Sequence, residues 1–172
     1  MIQRYPTATA FLALLLLLGS SAAGAQFGLF DDKPAIGTVS TAELREKLAS
    51  RADGDDLVLV DVRTPEEIAV SVIPGAISAS DFEAERERFR DAEVIAYCTV
   101  GVRSEHYARK LVADGYRASN YKASILGWVD EGLPVVTPAG EPTRQVHVYS
   151  DDYSVPAPYE AVTEWPADAE RR

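Results

Sequence analysis

Val94-Ile95-Ala96-Tyr97-Cys98-Thr99-Val100-Gly101-Val102-Arg103-Ser104 is the stretch that decides the fold. An apolar run ends on a thiol, a short loop with one glycine follows, and an arginine and a serine open an amphipathic helix. Val94 to Tyr97 is apolar without alternation, the pattern of a strand buried on both faces of a parallel sheet. Beyond the loop, Ser104, Tyr107, Ala108, Leu111 and Val112 recur at i, i+3, i+4, i+7 and i+8. They form one helical face, and Gly115 is placed as the C-terminal cap. A loop between such a strand and helix aims backbone N–H groups and a helix N-terminus at the sulfur. Both favour a thiolate, the nucleophilic form of cysteine.

Upstream, the same alternation continues. Ser40-Thr41-Ala42-Glu43 has capping-box spacing and starts a helix to about Ser50. Leu57 to Val60 is a second continuous apolar strand, after the turn Asp53-Gly54-Asp55-Asp56. Asp61-Val62-Arg63 follows, and Thr64-Pro65-Glu66-Glu67 reads as N-cap, proline at the first helical position and acids in the first turn. Ile73-Pro74-Gly75-Ala76 interrupts that helix, and Ile77 to Ala79 suits a short strand. Asp81 to Phe89 reads as a charged, solvated helix. Ser119 to Lys122 suits another short strand, with a helical turn around Gly127-Trp128-Val129-Asp130. Strands separated by helices imply βαβ units, an α/β fold with a parallel sheet whose function gathers at the carboxyl ends of its strands. Asp61 and Cys98 both stand at such ends.

The first residues have the three regions of a secretory signal peptide. Arg4 precedes an apolar run from Ala8 to Leu18, and small residues lead to Ala23-Gly24-Ala25. Cleavage is expected before Gln26. The apolar run is shorter than the ~20 residues of a spanning helix, so no stable membrane insertion is expected after cleavage. The expected location is periplasmic or secreted. The chain has 17 basic and 27 acidic residues and a net charge of −10; losing Arg4 makes it more negative still. Such a surface repels nucleic acid and anionic membranes. Cys98 is the only cysteine, so no disulfide can form within the chain.

The divisions expected are a leader over 1–25, a lead-in over 26–39, a main domain over 40–136 and a proline-rich extension over 137–172. Five of the ten prolines lie in the extension. Gln145 to Tyr149 alternates well enough to be an added edge strand, with Val146 and Val148 on one face. The rest reads as an extended arm or a disordered tail, although Tyr149, Tyr153, Tyr159 and Trp165 argue that part of it packs.

Residues 40–136 resemble a single rhodanese domain. The similarity is carried by Leu59-Val60-Asp61-Val62-Arg63-Thr64-Pro65-Glu66-Glu67, Ile73-Pro74-Gly75-Ala76, Cys98-Thr99-Val100-Gly101-Val102-Arg103-Ser104, and Gly127-Trp128 with Gly132-Leu133-Pro134-Val135. The resemblance implies a three-layer sandwich with a small central parallel sheet flanked by helices. It also implies a cysteine that accepts sulfane sulfur as a persulfide and passes it to a thiol or cyanide. Rhodanese-fold phosphatases are similar but use one more loop residue, whereas Cys98 to Arg103 spans six, a ring suited to one outer sulfur. Two positions depart from the family pattern: Val72 stands where a histidine is common, and Ala123 where a glycine is, restricting φ there.

Cys98 is therefore the candidate nucleophile. Thr99, Val100, Gly101, Val102, Arg103 and Ser104 are candidates to bind the donor, with Arg103 either holding an anion or pairing structurally. Asp61 and Arg63 are expected to be structural, and His106 to lie on the surface. No metal-ligand spacing or nucleotide loop is present, so neither metal nor cofactor is expected. A thiolate attacking a sulfane donor and then yielding that sulfur to an acceptor is covalent catalysis in two half-reactions. The expected partners are thus a small sulfur donor and a thiol or cyanide acceptor. The alternative is a rhodanese-like binding or redox-sensing module with little turnover, which takes a protein partner through the extension.

Overall fold

The computed structural model of the protein describes residues 35–51 and 56–164. The leader over 1–25, its cleavage site and Trp165 lie outside them. In chain order the elements are β1 (Gly37–Val39), α1 (Thr41–Ser50), β2 (Leu57–Asp61), α2 (Pro65–Val70), β3 (Ala76–Ser78), α3 (Ala79–Ala84), β4 (Glu93–Tyr97), α4 (Val102–Ala113), β5 (Arg117–Tyr121) and α5 (Ser124–Asp130). Four short strands follow, β6 (Val135–Val136), β7 (Pro142–Thr143), β8 (Gln145–His147) and β9 (Glu160–Val162). The first five strands form one parallel sheet in the order β1-β5-β4-β2-β3.

The apolar strands are buried on both faces, for the reason their composition gives. Leu57 and Leu59 of β2 and Ile95 and Tyr97 of β4 point into one core, with Leu44 of α1 and Ile125, Trp128 and Val129 of α5. Val58, Val60, Val94 and Ala96 point into the other, with Phe82 of α3 and Ala108 and Leu111 of α4. Each fully buried side chain of this size contributes ~1.5–3 kcal/mol, so the alternation within β2 and β4 fixes both layers of helices. The result is an α/β sandwich of three layers with a central parallel sheet.

Local signals start and stop the helices. Ser40 and Thr64 each cap a helix with a complete capping box, reciprocated by Glu43 and Glu67. Gly115 adopts φ +85° after α4; its N–H donates to Val112 O at 3.0 Å and that of Tyr116 to Leu111 O at 2.9 Å, a Schellman closure.

Four expectations are corrected. The lead-in contributes β1, which pairs with β5 as an edge of the sheet. The helix expected over Asp81–Phe89 is α3 alone, ending at Ala84, and both Phe82 and Phe89 are buried rather than solvated. Gln145–Tyr149 does not extend the central sheet: β8 pairs in parallel with β9 in a ribbon of its own. Nor is the segment after Pro138 a loose tail over the described residues. Val146 and Val148 are fully buried in the α1/α5 core, and the Tyr159 hydroxyl donates to Leu133 O at 2.6 Å.

Candidate active site

β4 lies in the middle of the sheet, and Cys98 is the first residue past its carboxyl end. The backbone then turns tightly into α4. Gly101 donates its N–H to Cys98 Sγ at 3.0 Å from a left-handed conformation, φ +89°. A Cβ there would run into the carbonyl of Lys122, so only glycine closes the turn. The Ser104 hydroxyl lies 3.6 Å from the sulfur and 2.7 Å from Asn120 Oδ1; its single proton serves one acceptor at a time. Asn120 in turn donates to Gly101 O at 3.0 Å, tying the loop to β5.

Burial pushes the Cys98 thiol up. The N–H groups of Ser104, Gly101 and Val100 and the Ser104 hydroxyl outweigh it, leaving the thiol below its ordinary value. The Cys98 N–H donates to Ser124 Oγ at 3.1 Å, and Ser124 donates to Tyr121 O at 3.0 Å. These bonds hold Ser124 at φ +56°. The backbone constraint expected at Ala123 therefore falls one residue later, since Ala123 is right-handed at φ −64°, ψ −25°.

Arg103 is engaged. Its guanidinium grips Glu67 with both terminal nitrogens, at 2.6 and 2.7 Å, and Thr99 Oγ1 at 2.9 Å. Thr99 donates to Glu67 Oε1 at 3.0 Å, and the Thr64 N–H to Glu67 Oε2 at 2.9 Å. Glu67 is fully buried. Burial pushes its carboxyl up, but Arg103, the Thr64 N–H and Thr99 draw it down to about 2. Of the two roles open to Arg103, structural pairing is the one the geometry displays, while the side chain still lines the pocket beside the sulfur. Asp61 and Arg63 form a second buried pair, at 2.6 Å, and Arg63 also donates to Ser71 O at 2.6 Å. They brace the end of β2 and do not reach the pocket. His106 is exposed on α4.

A pocket of about 190 Å³ opens over Cys98. Val100, Val102 and Arg103 line one side. The other comes from the extension, through Tyr149 and Tyr153. Arg103 sits under the Tyr149 ring, 5.7 Å from its centroid. Tyr149 holds φ +70°, unfavourable by about 1 kcal/mol or more for a bulky residue. Its neighbours impose that conformation. The Val148 N–H donates to Val162 O at 3.0 Å, that of Ser150 to Val148 O at 2.9 Å, and that of Tyr149 to His147 Nδ1 at 3.2 Å.

The electrostatics follow from the pairing. Glu67 is the first partner of Arg103 and Cys98 a weaker one, so the sulfur shares with Glu67 the cation among the described residues lining the pocket. Two like unit charges ~4 Å apart repel by ~4 kcal/mol at an effective dielectric of ~20. A doubly charged donor therefore approaches uphill.

Sequence reasoning reached the loop but not Glu67, Asn120, Ser124, Tyr149 or Tyr153 as parts of the site. Glu67 was visible as a helix-start acid, and Arg103 as a loop cation that either holds an anion or pairs structurally. Nothing local joins Tyr149 to Cys98. Among the described residues no group of side chains could hold a metal ion, and no helix is long and apolar enough to cross a membrane.

A cysteine thiol drawn below its ordinary value by a backbone cradle thus stands at the carboxyl end of the central strand of a parallel sheet. Residues 44–131 match the rhodanese-like domain, and the chain belongs to that family. It is 39% identical over 100 residues to a sulfurtransferase of Allochromatium vinosum, covering 55% of this chain and 94% of that one. It is 34% identical over 102 residues to YtwF of Bacillus subtilis, covering 58% and 96%. A solved structure from Rhodopseudomonas palustris, described as a protein of unknown function and possible tyrosine phosphatase, superposes with a TM-score of 0.51. Its identity is 27%, over 59% of this chain and 85% of that one. The family and its sulfurtransferase members support sulfur transfer as the general activity.

Proposed function

We propose that the protein is an exported sulfurtransferase that carries sulfane sulfur as a persulfide on Cys98 and passes it to a thiol or cyanide. The observation that carries this reading is the Gly101 N–H on Cys98 Sγ at 3.0 Å, in a loop whose donors all favour the anion. The Cys98 thiolate attacks the outer sulfur of a donor, the donor's S–S bond breaks, and its electron pair leaves with the departing group. The outer sulfur of the resulting persulfide lies against the same N–H groups, which stabilise its charge. An acceptor thiolate or cyanide then takes that sulfur and regenerates Cys98. The six-residue loop supports a one-atom cargo over a phosphate.

Intact-mass measurement after incubation with a sulfane donor tests the reading. One added sulfur, ~32 Da, is expected on the wild type and lost on treatment with cyanide. Cys98→Ser should show no addition and no turnover while its melting temperature stays within a few degrees. Addition to that variant rules out Cys98 as carrier. Export rests on the leader pattern, and N-terminal sequencing of the protein from its native host should begin at Gln26.

A further inference from the structure

We infer that the C-terminal extension sets donor specificity: Tyr149 and Tyr153 make the mouth of the Cys98 pocket selective for organic, carbon-bound persulfides over thiosulfate. The inference rests on the sulfurtransferase reading and names the substrate class for that site. Both tyrosines lie beyond residues 44–131, which match the family. The selectivity therefore belongs to this chain and not to the domain it shares.

Three observations converge. The mouth over the sulfur is lined by the exposed apolar and aromatic side chains of Val100, Val102, Tyr149 and Tyr153, beside Thr99 and Arg103. Arg103, the cation among the described lining residues, has its charge matched by Glu67 and lies 5.7 Å from the centre of the Tyr149 ring. Tyr149 is held in a left-handed conformation that a bulky side chain rarely adopts, fixed by backbone bonds on both sides. Strain of that kind persists where the surroundings impose it, and here it belongs to a residue that walls the pocket. At about 190 Å³ the space is smaller than the ~300–1,000 Å³ of a site for a drug-sized ligand. It suits an alkyl or benzyl group attached to sulfur.

The step balances without an outside reagent. The Cys98 thiolate attacks the terminal sulfur of R–S–S–H. A Cys98 S–S bond forms as the donor's S–S bond breaks, and the bonding pair leaves on R–S⁻. The proton stays on the transferred sulfur, and one S–S bond replaces another with no net oxidation. With thiosulfate the leaving group is the sulfite dianion, which would need a cation the pocket has already committed.

The test measures the rate of ~32 Da addition to Cys98 from benzyl persulfide and from thiosulfate. Each rate is divided by that of the same donor with free N-acetylcysteine, which removes intrinsic reactivity. The wild type should favour benzyl persulfide by about tenfold or more on this scale. The Tyr149→Ala/Tyr153→Ala double variant should slow benzyl persulfide by roughly tenfold, the contribution of an apolar wall around the ring, and thiosulfate by less than about twofold. Equal or faster normalised transfer from thiosulfate in the wild type overturns the inference, as does equal slowing of both donors in the double variant. The wild-type ratio stands whether or not the variant folds. Failure of both donors to load Cys98 instead defeats the sulfurtransferase reading itself.

Discussion

Arg103 and Glu67 meet through two parallel N–H···O contacts, at 2.6 and 2.7 Å, with the carboxylate fully buried and the guanidinium partly open to the pocket. Such a pair is specific in geometry, and removing one partner strands the other. Glu67→Gln keeps the shape, removes the negative charge and leaves Arg103 as an active cation beside Cys98. The variant should lose on the order of 2 kcal/mol of stability, discounted because solvent reaches the arginine. Its transfer from thiosulfate should rise at least roughly threefold as the anion gains a partner. Chemical denaturation and single-turnover loading measure the two effects separately.

The same pair gives an acid limb to stability. Its partners hold the Glu67 carboxyl down at about 2 in the folded protein, below the ordinary glutamate range of an unfolded chain, so on acidification the unfolded state takes up the proton first. The pair's contribution is fully present above pH ~4.5 and disappears as pH falls toward 2. Melting temperatures of wild type and Glu67→Gln should differ at pH 7 and converge as pH falls through this window. A gap that stays constant to pH 2.5 would assign the stability difference to packing.

Thiolate formation at Cys98 depends chiefly on the loop. Alkylation by iodoacetamide across pH should give a midpoint below the ~8.5 of a free cysteine. Ser104→Ala removes the hydroxyl that helps to offset burial, and the midpoint should move upward. Arg103→Ala should move it in the same direction but less, since that guanidinium is turned toward Glu67.

Gly101→Ala asks the chain for a left-handed alanine with its Cβ against the Lys122 carbonyl. Relief of that clash shifts the backbone that carries the N–H meeting Cys98 Sγ or the Lys122 carbonyl that packs on it. We expect a loss of about 2 kcal/mol together with a fall of more than tenfold in loading rate. Thermal melts and intact-mass kinetics would check both.

What was legible in the sequence follows the range of the interactions involved. β2 and β4 were readable because burial on both faces leaves an unbroken apolar run. α1, α2 and α4 were readable because their caps lie within a few residues of their starts. Gly37-Thr38-Val39 carried no such signal: its strand character comes from pairing with residues 119–121, some eighty positions away. Phe82 and Phe89 were masked by the charges between them, although their rings stack at 5.6 Å. Within the site, Cys98 and its loop could be found from one short segment. Glu67 and the two tyrosines approach the sulfur only through the tertiary fold.

Val146 and Val148 fill the same apolar cluster as Leu59 and Ile95 with no exposure. The boundary of the shared domain and the boundary of the core are thus different lines. A chain stopped near residue 136 would have a hollow in its centre, each missing valine removing ~1.5–3 kcal/mol of burial. Exchanging pieces between relatives meets the same obstacle. The Cys98 loop moved alone would leave Tyr149 and Tyr153 behind, and the extension moved alone would arrive without the socket that seats its valines.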